Sequence, residues 1–259
     1  MTSHDFDVDG FVRDGFLRVD NAFDPQLAEA CRGVLWCEMG LDPDGPAGWA
    51  QPVVRLGFHA EAPFREAANT PLLHAAYDAL VGAGRWLPPG GLGTFPIRFP
   101  SAADPGDTGW HIDVSFGHEA PDFLDWRANV TSRGRALLML FLLSDIGEHD
   151  APTLIRVGSH VDMARRLGPA GEAGLTLREM LADDFGGSVG RRETSATGRA
   201  GTVYLCHPFL VHSAQPLRSG SPRFIAQPPL LPAEPLRLDR KKGESPVERA
   251  IRQAVEAAP

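Results

Sequence analysis

The chain has 259 residues, 43% of them hydrophobic, and a formal net charge of −8 at pH 7. That length suits one large domain, or at most two small ones, with a core that needs no disulfide staple. The acidic balance argues against nucleic acid or an anionic membrane as the main partner. The N-terminal "MTSHDFDVDG" lacks the apolar segment of a signal peptide. The longest apolar run, "ALLMLFLL" at 136–143, falls far short of the ~20 residues of a membrane span. Three cysteines, Cys31, Cys37 and Cys206, are an odd number without metal-type spacing, as expected of reduced thiols in a cytoplasmic protein. The only lysines are Lys241 and Lys242.

In chain order, "FDPQLAEACRGVLWCEM" predicts a helix with Asp24 as N-cap and Pro25 at N1, with Leu27, Cys31, Val34 and Leu35 on one face. "NTPLLHAAYDALVGAG" repeats the design with Thr70 and Pro71. "GTFPIRF" alternates, Phe95, Ile97 and Phe99 on one side and Thr94, Pro96 and Arg98 on the other, and predicts a strand. "ALLMLFLL" predicts a strand with no polar face, and "APTLIRVGSH" a further strand. "TLREMLADDFGG" opens with a capping box, Thr176 and Glu179. "GTVYLCHPFLVHSA" and "SPRFIAQPPL" read as strands, and "SPVERAIRQAVEA" carries a second capping box, Ser245 and Glu248. Short strands, many turns and helices at the edges predict a mainly β fold, a sandwich or jelly roll wrapped by helices.

Residues 107–116, "DTGWHIDVSF", contain His111-Ile112-Asp113. On a strand, residues two apart share a face, so both side chains can reach one ion. An imidazole, a carboxylate and a second imidazole make the 2-His-1-carboxylate triad, which leaves positions open on Fe(II) for a bidentate co-substrate. The spacing alone decides nothing, because His160-Val161-Asp162 repeats it and His59-x-Glu61 resembles it. "CHPFLVHSA" supplies two candidates for the remote ligand, His207 and His212, which face opposite ways if they share one strand. A dicarboxylate co-substrate needs a cation for its far end, and arginine pairs with carboxylate bidentately. Arg223 follows His212 across the turn "LRSGSP", where two hairpin-related strands would bring both into one pocket.

In combination these segments resemble the phytanoyl-CoA dioxygenase family of Fe(II)/2-oxoglutarate-dependent oxygenases. The resemblance rests on "WHID" at 110–113, "RVGSH" at 156–160, "GTVYLCHPFLVHSAQPLRSGSPRF" at 201–224 and the opening "FDVDGFVRDGFLRVDNAFDPQLAEACR". It implies a double-stranded β-helix (cupin-like jelly roll), one domain over 1–259 with its core at about 90–230, a helical N-terminal flank and a C-terminal helix at about 245–257. It implies His111, Asp113 and His212 as iron ligands, and Arg223 on the distal carboxylate of 2-oxoglutarate, with O2 as the second co-substrate. His207 falls at a position that is not a ligand, and His160-x-Asp162 at a structural turn.

Three departures stand out. "EHDAPT" replaces the usual Asn-Gly, Ala214 stands where a small polar residue often helps the arginine, and no lysine is available for the co-substrate. Thr94 and Arg98 are candidates to make those secondary contacts, against the alternative that they form a solvent-facing stripe. Asp113 stands where related halogenases have Gly or Ala, so hydroxylation is expected rather than halogenation. The segment 114–135, with Phe116, Phe123, Trp126 and Arg127, Arg133 and Arg135, is expected to line a pocket mouth, and 48–59 to form a second lid. The expected substrate is a small metabolite, such as a natural-product intermediate, and the oligomeric state, monomer or homodimer, is left open. The competing functions are a non-catalytic jelly roll that binds metal or ligand, and a cupin-like metal isomerase or hydrolase.

Overall fold

The structure, a computed structural model, describes residues 5–239 and 242–257, so Lys241 lies outside the described residues. The N-terminal flank runs α1 (Val8–Asp14), β1 (Phe16–Val19), α2 (Pro25–Met39), β2 (Val53–Leu56), α3 (Ala62–Ala68) and α4 (Pro71–Val81). The centre holds β3 (Phe95–Arg98), β4 (Trp110–His111), β5 (Arg127–Ala128), β6 (Leu137–Leu142) and β7 (Thr153–Arg156). Next come α5 (Ser159–Leu167), β8 (Leu175–Thr176), α6 (Leu177–Leu181), α7 (Asp184–Gly187), β9 (Glu193–Ala196) and β10 (Val203–Cys206). The chain then forms β11 (His212–Ser213), β12 (Ile225–Ala226), β13 (Pro229–Leu230) and α8 (Pro246–Glu256).

The caps explain where the helices begin. Asp24 accepts from the Gln26 amide and Thr70 from Leu73, each with proline in the first turn. Both capping boxes form, at Thr176–Glu179 and Ser245–Glu248. Each satisfies two otherwise orphaned amides.

Two antiparallel sheets make the jelly roll. The larger has the order β1-β10-β6-β12, with β13 also on β6; the smaller is β4-β11-β7-β9. Strand β6 lies inside the larger sheet and is buried on both faces. Leu137, Met139 and Phe141 join the large core that includes residues of α2 and α4. Leu138, Leu140 and Leu142 turn to the other side and pack with Ile155 of β7 and Ala196 of β9, between the sheets. A strand covered on both sides needs no polar face, which is why its sequence does not alternate.

Strand β3 pairs with β2 in a separate two-stranded sheet and is tied by a bridge to the segment before β12. Arg98 and Arg223 form an antiparallel bridge, exchanging amide–carbonyl bonds of 3.0 and 2.9 Å. The alternation of "GTFPIRF" therefore does not divide core from solvent, because all of β3 is buried. A further correction concerns the chain after His212. Strands β11 and β12 are not a hairpin: β11 belongs to the smaller sheet and β12 to the larger. The chain leaves the smaller sheet after Ser213 and reaches the larger at Ile225, and His212 and Arg223 line the same cavity.

Candidate metal centre and its buried arginine pair

The first half of the centre is a cross-strand pair. His212 of β11 stands opposite His111 of β4 in register, and Ile155 of β7 flanks it on the other side. Opposed residues on neighbouring antiparallel strands point to the same face. The two imidazole centroids accordingly lie 4.3 Å apart. Asp113 follows two residues after His111 on the same face, and ligand atoms of His111, Asp113 and His212 all lie within 4.8 Å of one another.

Hydrogen bonds fix the tautomers. His111 Nδ1 lies 2.9 Å from the Gly109 carbonyl and His212 Nδ1 lies 2.9 Å from that of Leu210. A carbonyl only accepts, so each Nδ1 carries the proton and each Nε2 keeps a free lone pair. Burial, reinforced by the neighbouring His111, lowers the His212 pKa to about 4, so this ring is neutral at pH 7. Burial on its own would raise the Asp113 carboxyl; the Arg135 guanidinium, then His212 and His111, outweigh it and hold the group below its ordinary value. The imidazoles of His111 and His212 and one ionised carboxylate form the donor set of a facial metal site. Arg135 Nη1 donates to Asp113 Oδ2 at 2.5 Å, while Asp113 Oδ1 lies 3.9 Å from His212 Nε2. One oxygen is thereby occupied and the other is left facing the histidines.

The second half is another cross-strand pair. Arg98 and Arg223 are 0% and 1% exposed and oppose each other across the β3 bridge. Arg223 donates to the carbonyls of Ala151 (2.6 Å) and Pro96 (3.1 Å), and Arg98 to Asp107 Oδ1 (2.6 Å). Nε and Nη1 of Arg98 and Nε of Arg223 are buried without a hydrogen-bond partner. Burial, then the adjacent Arg98 charge, lowers the Arg223 pKa to about 9 against the opposing pull of Asp107. Two buried guanidinium cations with orphaned N–H groups are poorly compensated by Asp107, which also pairs with the half-exposed Arg55 at 2.5 Å. The pair fits an anion with several acceptor oxygens.

His111, Asp113, His212, Arg98, Arg223, Thr94 and Arg135 all line one cavity of about 950 Å³, as do Thr153, Ala214 and Gln227. Arg98 is therefore not part of a solvent-facing stripe. Thr94 is exposed at the cavity wall, with a φ of +54° that is rare for a β-branched residue. Its carbonyl accepts from the Gln227 amide at 3.0 Å. Of the loop residues expected at the mouth, Phe123, Trp126 and Arg135 line the cavity. Phe116 instead bridges to Arg127 beneath the Arg133 guanidinium, and Arg127 bonds the carbonyls of Ala173 and Gly174. Asp107 and Thr153 are not legible in the sequence, nor is the bond from Arg135 to Asp113. A signal for Asp107 exists, since an arginine among buried strand residues requires an anion, but the loop that supplies it has no pattern of its own.

The remaining histidine motifs lie elsewhere. His207 is not on a strand with His212, because β10 ends at Cys206; it is buried beside Phe11 and His160. His160 opens α5, and its Nε2 lies 3.1 Å from the Val12 carbonyl, while Asp162 pairs with Arg191. His59 lies between Glu38 (2.7 Å) and Glu61 (3.2 Å), tying α2 to the segment before α3. Among the described residues, His111, Asp113 and His212 form the one metal-type cluster, and no helix is long and apolar enough to cross a membrane.

Among proteins with curated functions, none matches the sequence. Solved structures share the fold. GlcNAc Inducible Gene 2, GIG2 (DUF1479), from Candida albicans superposes at a TM-score of 0.61 with 15% identity, over 87% of this chain and 62% of that one. This chain thus spans less than two thirds of that protein. The epimerase SnoN, solved with Fe3+, alpha ketoglutarate and nogalamycin RO, gives 0.54 and 17% over 85% of this chain and 80% of that one. HygX from Streptomyces hygroscopicus, solved with nickel and 2-oxoglutarate, gives 0.53 and 19% over 84% and 82%. Residues 50–225 match the phytanoyl-CoA dioxygenase (PhyH) family, to which the chain belongs.

Proposed function

We propose that the protein is an Fe(II)- and 2-oxoglutarate-dependent oxygenase that hydroxylates a small-molecule metabolite, releasing succinate and CO2. One observation carries the reading: a two-histidine, one-carboxylate cluster shares a single cavity with two buried arginines that have one carboxylate, Asp107, between them and keep unpartnered N–H groups. His111, Asp113 and His212 would hold the iron. Arg223, with Arg98 beside it, would bind the distal carboxylate of 2-oxoglutarate, and Thr94 would stand at the cavity wall near that end. When bound, iron and 2-oxoglutarate supply the oxidising power to attack a C–H bond with O2, which no side chain can provide.

The chain's own residues bind, orient and exclude water. The carbonyls of Gly109 and Leu210 fix the imidazoles so that both Nε2 atoms meet at one point. Arg135 occupies one Asp113 oxygen, so the carboxylate offers the metal a single atom and leaves coordination positions for the co-substrate. Arg223, bridged to Arg98 just before β12, would anchor the far end of the co-substrate. The intact Asp113 supports oxygen insertion over halogenation.

The epimerase and nickel–2-oxoglutarate neighbours support iron and 2-oxoglutarate as the partners of this fold, and SnoN is a reminder that the fold also hosts epimerisation. Mass analysis of the product separates the two, since hydroxylation adds one oxygen and epimerisation none. The test is succinate release from 2-oxoglutarate by the Fe(II)-loaded protein across a metabolite collection. We expect substrate-dependent succinate that Asp113→Ala abolishes. Succinate from no substrate, or undiminished in Asp113→Ala, overturns the reading.

A further inference from the structure

Directly after Asp113 the chain leaves the jelly roll and builds a cap. Phe116 and Arg127 pair with two bonds of 3.2 and 2.8 Å, and β5 then pairs antiparallel with β8. The Leu177 amide donates to the Trp126 carbonyl, setting α6 on the 3-10 turn Phe123–Asp125. Arg178 clasps Asp122 at 2.7 Å and Asp125 at 3.0 Å. The two layers meet at Gly174, with φ +61°, where an added Cβ would lie 2.0 Å from the Ala128 carbonyl oxygen. Only glycine permits so close a junction.

The cap presents one wall to the cavity: His118, Phe123, Leu124, Trp126, Leu177 and Leu181. None of the six carries a fixed charge, and His118 is the only polar side chain among them. The Trp126 indole N–H is spent on the Ala120 carbonyl at 3.0 Å, so the ring offers its apolar surface. His118 lies 4.4 Å from Trp126 and Phe123 5.2 Å, edge to face. At the rim, Phe123 and Leu181 are 49% and 40% exposed, which leaves apolar surface open at the cavity. The same cavity is lined by the arginine pair, so the cap wall and the arginine pair differ sharply in polarity.

We propose that this wall is the substrate subsite, and that it takes the uncharged, ring-bearing end of a flat apolar molecule whose reacting carbon lies near His111 and Asp113. The proposal rests on the oxygenase reading for the direction of the reacting carbon. The wall itself is recognised by its chemistry. Aromatic faces and leucines reward flat apolar surface and offer a charged group nothing. Phe123 and Leu181 close over the bound ring and lose their contact with water.

The test uses the Mn(II)-loaded full chain with 2-oxoglutarate, under anaerobic conditions, and three probes: 2-naphthol, 1-octanol and L-glutamine. Dissociation constants come from calorimetry, and proximity to the metal from proton relaxation of the probe. We expect 2-naphthol to bind more tightly than 1-octanol and L-glutamine not to bind. Its proton relaxation should be enhanced by Mn(II). In the double variant Phe123→Ala/Leu181→Ala, whose side chains are too exposed to be needed for folding, its affinity should fall about fivefold or more. The affinity for 2-oxoglutarate should stay unchanged in that variant. Trp126→Phe, which keeps a ring in the wall, should bind 2-naphthol within about twofold of the wild type. Failure of 2-naphthol to bind the wild type, equal binding by the double variant, or preference for L-glutamine overturns the proposal. Failure of the wild type to bind 2-oxoglutarate contradicts the oxygenase reading instead, which a normal 2-naphthol result would leave visible as a separate fault.

Discussion

His111-x-Asp113 and His160-x-Asp162 share one spacing and have opposite surroundings. The first lies on β4 and its extension, where residues two apart share a face, and His212 stands opposite to complete a cluster. The second lies in the first turn of α5, where residues two apart do not face each other. His160 turns inward to the Val12 carbonyl and Asp162 turns to Arg191. The spacing of two residues makes a chelate only on an extended backbone. What distinguishes the pairs is the secondary structure beneath them and the strand beside them.

The two pairs should differ most at their carboxylates. Asp113→Ala should weaken Fe(II) or Co(II) binding by more than the roughly 10–100-fold that loss of an outer partner costs, and leave the melting temperature close to the wild type. Equilibrium dialysis against the metal alone checks it. Retained metal affinity would show that the cluster is not the site.

Arg223→Ala extends the contrast to the far end of the cavity. Losing one partner of a buried charge pair costs about 2–5 kcal/mol, so 2-oxoglutarate affinity should fall ~30-fold or more, with metal affinity unchanged. Calorimetry on the metal-loaded protein reads both.

The buried histidines His160 and His207 should act on stability instead. Burial lowers the His160 pKa to about 4 and pushes His207 well below its ordinary value. In the unfolded chain both titrate near 6.5, so between about 6.5 and 4 the unfolded state binds more protons. The stability these groups confer is complete above that window and falls as pH drops through it, by about 3 kcal/mol for His160. Melting temperatures from pH 7 to 4 should decline along this course, and His160→Phe should flatten the decline while leaving metal binding intact. A slope unchanged in His160→Phe would reject the assignment.

Arg135→Met should loosen metal binding by roughly tenfold, since it frees the outer Asp113 oxygen. The Co(II) absorption spectrum should change with it, as the carboxylate becomes able to offer both oxygens. The smallest effect is expected at Asp162→Ala, which removes a partly exposed pair with Arg191 and should cost ~1 kcal/mol or less in denaturant unfolding.

The strand and helix signals were strongest where local chemistry is self-sufficient. Asp24-Pro25, Thr70-Pro71 and the two capping boxes mark helix starts within a few residues, and the run at 136–143 announces a strand buried on both faces. Helix α5 has a legible pattern in His160, Met163, Ala164 and Leu167, but "VGSH" before it reads as the end of a strand. The metal cluster was legible only in company: the i, i+2 spacing recurs at His160-x-Asp162, and Trp110, His212 and Arg223, through the family resemblance they carry, singled out His111 and Asp113. The arginine end was less so. Which sheet receives Arg223 depends on pairings two residues long, at β11 and β12. Arg135 reaches Asp113, and Asp107 reaches Arg98, through loops whose paths follow from tertiary packing. The cap likewise depends on pairing between segments about fifty residues apart, Arg127 with Thr176.

The central claim is that one cavity holds a metal at His111, Asp113 and His212 and an anion at Arg223. Anaerobic titration of the Fe(II)-loaded protein with 2-oxoglutarate, followed by visible absorption, tests both halves together. A charge-transfer band should grow and saturate in the wild type, require at least ~30-fold more co-substrate in Arg223→Ala, and be absent in Asp113→Ala. No band in the wild type, or the same saturation in Arg223→Ala, would contradict the account.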